Sequence, residues 1–420
     1  MERASSHALA CSGEERAEWG ERWASTTAGR LFKSGFEKPV HDDSRRGRIR
    51  SLVQRLRPSL PHRRAPLKLY VGSDVGLEET SLCIVDGEGL IVHELKVSTE
   101  PAAIRSAGEG YADRLERVGV EASSLGIWLY RELQPARLPI IVVEARRMRV
   151  SLSTMRNKTD RNDARGIAQM MRLGWYRAVH VKNIDMQKMR TLFTSRKLLK
   201  RKLIDLENYI RGALRAYGLL VGAVARGAYE ARVRELIEHR DPIFVMTIEA
   251  MLDMRRVILE GYDRLHRVLL QVVQHDPVCR RLMTVPGVGP VAALSFKVGV
   301  DDPHRIARSR TVGAHFGLTP RRHQSGTSID FEGRISKQGD VAVREALCEA
   351  AASLLLRVRK WSALRAWGPR IAKRSSMLCA ITAVARKLAS ILHRMWVSET
   401  DFHVGFGAKI TQRLRLKPAQ

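Results

Sequence analysis

Between residues 67 and 173 the hydrophobic period changes in a fixed order, and that order limits the folds open to the chain. Residues 67–73 form a short apolar run that ends at Asp74. Runs at 81–85 and 90–97 follow, joined by Asp86-Gly87-Glu88-Gly89, a strong hairpin signal. A helical stretch at 101–117 comes next. A strand at 118–120 then ends on Glu121, a helix carries Ile127, Leu129 and Leu133, and a fully apolar strand spans 139–143. Another helix begins near Asp160. Three strands in hairpins followed by strand–helix units predict a mixed sheet with helices on its faces.

The middle of the chain has a helical period. Met189, Leu192, Leu199, Leu203, Leu206, Ile210, Ala213 and Tyr217 advance in steps of three and four, with Arg196 at the one polar seam position. A second seam runs through Met251, Met254, Ile258, Leu265, Val268 and Val272, interrupted at Gly261. The pair predicts a helical hairpin or coiled coil, or else a plain packing layer. The last third opens on Pro286-Gly287-Val288-Gly289-Pro290, then an Ala/Leu helix, a loop-rich stretch at 317–340, and helices from Val341. The expected partition is an extension at 1–66, an α/β domain at 67–183, a helical linker at 184–275, a mainly helical domain at 276–398 and a tail at 399–420.

Charge narrows the partner. The chain carries 73 Lys+Arg against 44 Asp+Glu, a formal +29, which points to a polyanion and most often to nucleic acid. A basic surface kept for solubility is the plainer alternative. Residues 44–66 hold eight arginines and no acid, and 350–397 hold ten Lys/Arg and no acid, interleaved with Trp361, Trp367 and Trp396. The first of these is expected to be an arm that touches nucleic acid or a dispensable leader. Five cysteines without a C-x-x-C pair exclude a disulfide framework and a zinc ribbon, and suit a reducing cytosol. No apolar run is long enough to span a bilayer, and no signal peptide is visible.

Four carboxylates are candidates for chemistry. In a sheet of this order the strands ending in Asp74 and Glu121 can lie side by side and parallel, and open α/β sheets bind ligands at that edge. Asp160 and Asp163 share a helix face. Converging acids repel unless a divalent cation intervenes, and magnesium takes such hard oxygen ligands. For Asp160 and Asp163 alone, a helix cap at Asp160 with Asp163 in the first turn is the plainer reading, and Glu144 rivals Glu121 on position. The glycines of Pro286-Gly287-Val288-Gly289 could let backbone N–H groups approach a phosphate, or make a tight helix-to-helix turn. Ser325, in a flexible Gly-flanked loop after Arg321, Arg322 and His323, could be a nucleophile with the arginines neutralising the attacked phosphate. Ser328 and Ser336 compete with it, and a Ser-Gly loop is ordinarily just a turn.

Together these stretches resemble one family, the DEDD transposases of bacterial insertion sequences, which pair a RuvC-like RNase H fold with a serine-bearing domain. Piv-type invertases are similar. The resemblance rests on Val71-Gly72-Ser73-Asp74-Val75, Val118-Gly119-Val120-Glu121-Ala122 and the run from Asn157 to Ala168. In the second half it rests on Val285-Pro286-Gly287-Val288-Gly289, Gly317-Leu318-Thr319-Pro320 and Ile335-Ser336-Lys337-Gln338-Gly339-Asp340. It implies that Asp74, Glu121, Asp160 and Asp163 bind Mg2+, with Glu121 preferred over Glu144, and that Ser325 is the nucleophile. Gly287, Gly289, Arg321, Arg322 and Lys337 would contact nucleic acid. It further implies DNA as substrate, a structured guide RNA, and a homodimer or homotetramer in the cytoplasm. A RuvC-type nuclease and a non-catalytic nucleic-acid-binding protein are the alternatives.

Overall fold

The computed structural model describes residues 68–145, 148, 157–326 and 329–403. The chain divides between Leu67 and Lys68, and the described residues all lie in the second unit, Lys68–Gln420. The basic arm at 44–66 lies outside the described residues, as do Thr327, Ser328 and most of the tail.

The second unit opens on a five-stranded sheet of β1 (Leu69–Val75), β2 (Glu79–Val85), β3 (Ile91–Ser98), β4 (Leu115–Glu121) and β5 (Ile140–Val143), in the order β3-β2-β1-β4-β5. β1, β2 and β3 pair antiparallel, whereas β4 and β5 run parallel to β1. This mixed sheet, followed by a mostly helical half, is consistent with a RuvC-like domain joined to a helical one. Helices α1 (Pro101–Glu109) and α2 (Ser124–Leu133) bury Ile104, Leu129 and Leu133 beside one face, whose apolar surface is Leu69, Val71, Leu82, Ile84 and Val118. Helix α3 (Asp160–Leu173) covers the other, packing Ala164, Ile167, Ala168 and Met171 on Cys83, Val85 and Val143. The helix expected over 101–117 stops at Glu109. Leu115, Val118 and Val120 are spent on strand pairing with β1 and β5, a tertiary demand that local period does not register.

Two glycines decide how closely α3 can approach. A Cβ on Gly72 would sit 2.1 Å from the Ala164 carbonyl oxygen and 2.3 Å from the Ala168 nitrogen; one on Gly119 would meet Met171 and Ile167 within 2.8 Å. The obstacle at Gly72 is helix backbone, which cannot swing aside. Gly72→Ala is therefore expected to cost more than the ~1–3 kcal/mol of ordinary overpacking, measured as a lower urea midpoint. A loss under 0.5 kcal/mol, the order of a ~neutral surface change, would contradict this seating.

The expected seams are helices. α4 (Ile184–Ala216) and α6 (Pro242–His275) pack together with α5 (Tyr229–Ile237) between them in sequence. Gly261 does not break α6; it brings Leu199 of α4 within 3.3 Å of where a Cβ would be. Arg196, the polar seam residue, donates to the Tyr262 hydroxyl at 2.5 Å and lies over that ring. The last third holds α7 (Pro277–Met283), α8 (Pro290–Val300), α9 (Val312–His315), α10 (Val341–Leu356), α11 (Ala363–Arg374) and α12 (Met377–Val397). Their core is Phe296, Phe316, Leu347, Leu354, Leu388 and Leu392 with their neighbours. The stretch 317–340, expected as loop, contains a β-hairpin of β6 (Pro320–Ser325) and β7 (Ile329–Ile335). Every residue of β6 is exposed, so no apolar alternation marks it. No described helix is long and apolar enough to cross a membrane.

Candidate active site

Side chains alternate along a strand, so the face that carries Gly72 also carries Asp74, and the face that carries Gly119 also carries Glu121. Both glycines lie under α3. Each acid is thus two residues beyond a glycine that lets the helix settle, just where its N-terminus arrives. Ser73 pairs with Val120 across the parallel β1–β4 register, which puts Asp74 and Glu121 at the same C-terminal edge. Asp160 and Asp163 stand in the first turn of α3, started by the Thr159 hydroxyl accepting from the Asn162 N–H. Arg161 and Arg165 on that helix donate to Glu94 of β3 and clamp it to the sheet. Hydrogen bonding from Arg165 leads, and Glu94 is held down to about 2 despite its burial.

Electrostatics link the four acids. Burial first, and then the charges of Asp163, Asp160 and Glu121, together push the Asp74 carboxyl up to about 6, with Lys158 opposing. Glu121, not Glu144, is among the acids pressing on it. Glu144 follows β5 and is engaged instead with Arg177 at 3.7 Å. Among the described residues, no three His, Cys, Asp or Glu side chains are drawn close enough to hold a metal ion as they stand. The four donors are all hard carboxylate oxygens, and Asp74 feels three acids against Lys158, so their chemistry suits a divalent cation that would draw them inward.

Ser325 ends β6, exposed and paired with Ile329, and Gly326 turns the chain at φ +56°. Among the described residues no hydrogen bond joins Ser325 to any of the four acids. The hairpin itself occupies Arg321 and Arg322. Arg322 grips Asp330 at 2.8 and 2.5 Å, and Arg321 donates to the Ser336 carbonyl at 3.1 Å. His323 stacks on Phe331, ring centroids 5.0 Å apart. Two of the motif stretches form the base of this hairpin. The Ser336 N–H donates to the Thr319 carbonyl and the Lys337 N–H to that of Gly317. Lys337 itself adopts φ +55°. Buried Arg344, which sequence reasoning missed, donates to the Phe316 and Gln338 carbonyls at 3.0 Å each. Gly287, at φ +88°, seats its turn against α10, where a Cβ would lie 2.7 Å from the Ala350 oxygen. Gly289 caps α8 and has open space around it.

Comparison with known proteins now bears on this arrangement. A family model for the DEDD transposases of IS110 type matches residues 71–218, which include all four acids. A second, for the IS116/IS110/IS902 transposase family, matches 279–366, which include Ser325. The chain belongs to the IS116/IS110/IS902 family of DEDD transposases. Among its relatives, the transposase for insertion sequence element IS1111A of Coxiella burnetii is 28% identical over 80% of this chain and 91% of its own length. The transposase for IS1328 of Yersinia enterocolitica is 28% identical over 58% of this chain and 72% of its own. The pilin gene-inverting protein of Moraxella bovis is 28% identical over 26% of this chain and 34% of its own. This transposase therefore acts on DNA, and a DEDD domain implies use of a divalent metal.

Proposed function

We propose that this transposase cleaves and rejoins DNA strands through a covalent phosphoserine on Ser325, with Asp74, Glu121, Asp160 and Asp163 holding Mg2+. The observation that carries the proposal is the crowding on Asp74, where three other acids press on one carboxyl. A bound divalent cation there supplies charge neutralisation for a phosphodiester. Ser325 Oγ attacks phosphorus, a P–O bond to the leaving hydroxyl breaks, and a strand hydroxyl later reverses the exchange. The exposure of Ser325 leaves it open to DNA. Since it makes no hydrogen bond to the acids, completion of the site from two subunits of a homodimer or homotetramer is part of the proposal. A structured guide RNA is another part, supported by the family resemblance and the +29 charge.

Incubation with element-end DNA and Mg2+, quenched in denaturant, is expected to trap a protein–DNA adduct that Ser325→Ala lacks while DNA binding persists. A water-hydrolysing nuclease would cut without any adduct, and a pure binder would do neither. Recombination by Ser325→Ala protein would sink the nucleophile assignment.

A further inference from the structure

An open cleft of about 880 Å3 lies between the segment after β5 and α3 and the loops around α9 and the hairpin base. Its size falls within the roughly 300–1,000 Å3 of small-ligand sites. Arg177, Lys182, Arg190, Arg305 and Arg308 line it, against the carboxylates Glu144 and Asp340. Those two acids are already committed. Asp340 takes Arg190 at 2.5 Å, lies 3.7 Å from Lys182, and accepts the Ala342 and Val343 N–H groups that open α10. Glu144 meets Arg177 only at 3.7 Å. Arg305 spends its donors on the Val300 carbonyl and His315, neither of them an acid. Arg308 has no ion pair among the described residues.

The cleft therefore holds more positive charge than its walls neutralise. His315 registers the excess: burial first, and then Arg305, Arg177 and Lys182, together push it down to about 4 against the pull of Asp340. Burial also brings Lys182 down to about 8, although Asp340 and the nearby Asp301 favour its charge. Position adds meaning to the charge. Glu144 follows Val143, which pairs with Glu121, so one wall begins at the sheet edge that carries the acids. Gln338 and Gly339 on the other wall belong to the base of the hairpin that carries Ser325.

We propose that this cleft binds the sugar–phosphate backbone of a nucleic-acid strand, whose phosphates bridge the acid-bearing sheet and the base of the serine-bearing hairpin. The inference rests on the strand-exchange reading above for its purpose. Its test reads binding alone, so it can fail or succeed independently of that chemistry.

The test uses the full chain with labelled duplex DNA, single-stranded DNA and RNA of one sequence, following anisotropy from 50 to 300 mM salt. Arg177→Glu combined with Arg308→Glu is expected to make the slope of log affinity against log salt shallower by about 1.4–1.8, as each lost phosphate contact removes ~0.7–0.9. Arg308→Gln, which breaks no ion pair, is expected to remove about half as much. Arg232→Glu with Arg256→Glu makes the same charge change on α5 and α6 and is expected to leave the slope unchanged. A change confined to DNA assigns the cleft to DNA, and one confined to RNA assigns it to RNA; either supports the proposal. Unchanged slopes in both cleft variants, or equal losses in the control, overturn it.

Discussion

Asp74→Asn protein is expected to lose detectable strand joining in Mg2+ and yet to be more stable than the parent when no divalent ion is present. Both effects have one cause. The fold holds the Asp74 carboxyl up at about 6, through burial first and the neighbouring acids second. The unfolded chain ionises that group near its usual value of roughly 4. Below that value both states are protonated, and Asp74 contributes nothing to the pH dependence. Between it and about 6, the unfolded state gives up its proton while the folded state resists, so stability falls as pH rises. Above about 6 the whole penalty is present. Asparagine keeps the shape and removes the charge, so its advantage should be largest at pH 8, about 1–2 kcal/mol once partial solvation is allowed for. The advantage should fade toward pH 4. Mg2+ should raise the melting temperature of the parent at pH 8 and leave the variant where it is. A variant that still recombines, or whose advantage does not grow with pH, would remove Asp74 from the site.

The sheet could be read from sequence because its strands announce themselves twice, through apolar runs and through the Asp86-Gly87 turn. The starts of α3 near Asp160 and of α10 at Val341 were legible too, although the cap of α3 is Thr159 and not Asp160. Other features answer to distant partners. Gly72 and Gly119 look like ordinary strand glycines until α3 lies on them, and only then explain why acids two residues on should meet the start of that helix. A glycine two positions before an acid on each of two neighbouring parallel strands was the available signal. The hairpin at 320–335 escaped notice because its pairing is polar, held by Arg322 with Asp330 and His323 with Phe331. Lys182, Asp340 and Arg308 carry no motif. They become a cleft only when chain segments more than 100 residues apart are packed together.

Arg255→Met is expected to be strongly destabilising although it lies outside the candidate active site. Arg255, on α6, is 1% exposed. It donates to Glu207 of α4 at 2.8 Å, to Glu230 of α5 at 2.9 Å and to the Arg226 carbonyl at 3.2 Å, with its guanidinium over the Tyr229 ring. One planar cation thus ties three helices around the core of Ile210, Leu214, Val233, Ile248 and Leu252. Methionine fills much of the volume but strands two carboxylates beside that core. Breaking a buried pair on one side costs about 3–5 kcal/mol. Glu207 and Glu230 keep 26% and 21% of their side-chain surface exposed, so water recovers part of this and the lower end, about 3 kcal/mol, is expected. Arg255→Lys should lose most of the same amount, because a point charge cannot serve three acceptors in a fixed fork. Adding Glu207→Gln and Glu230→Gln to Arg255→Met should restore much of the urea midpoint, since the main penalty is the orphaned charge and not the absent bond. If the triple variant is no more stable than the single one, packing against Tyr229 outweighs the ion pairs and the assignment of cost to charge is wrong.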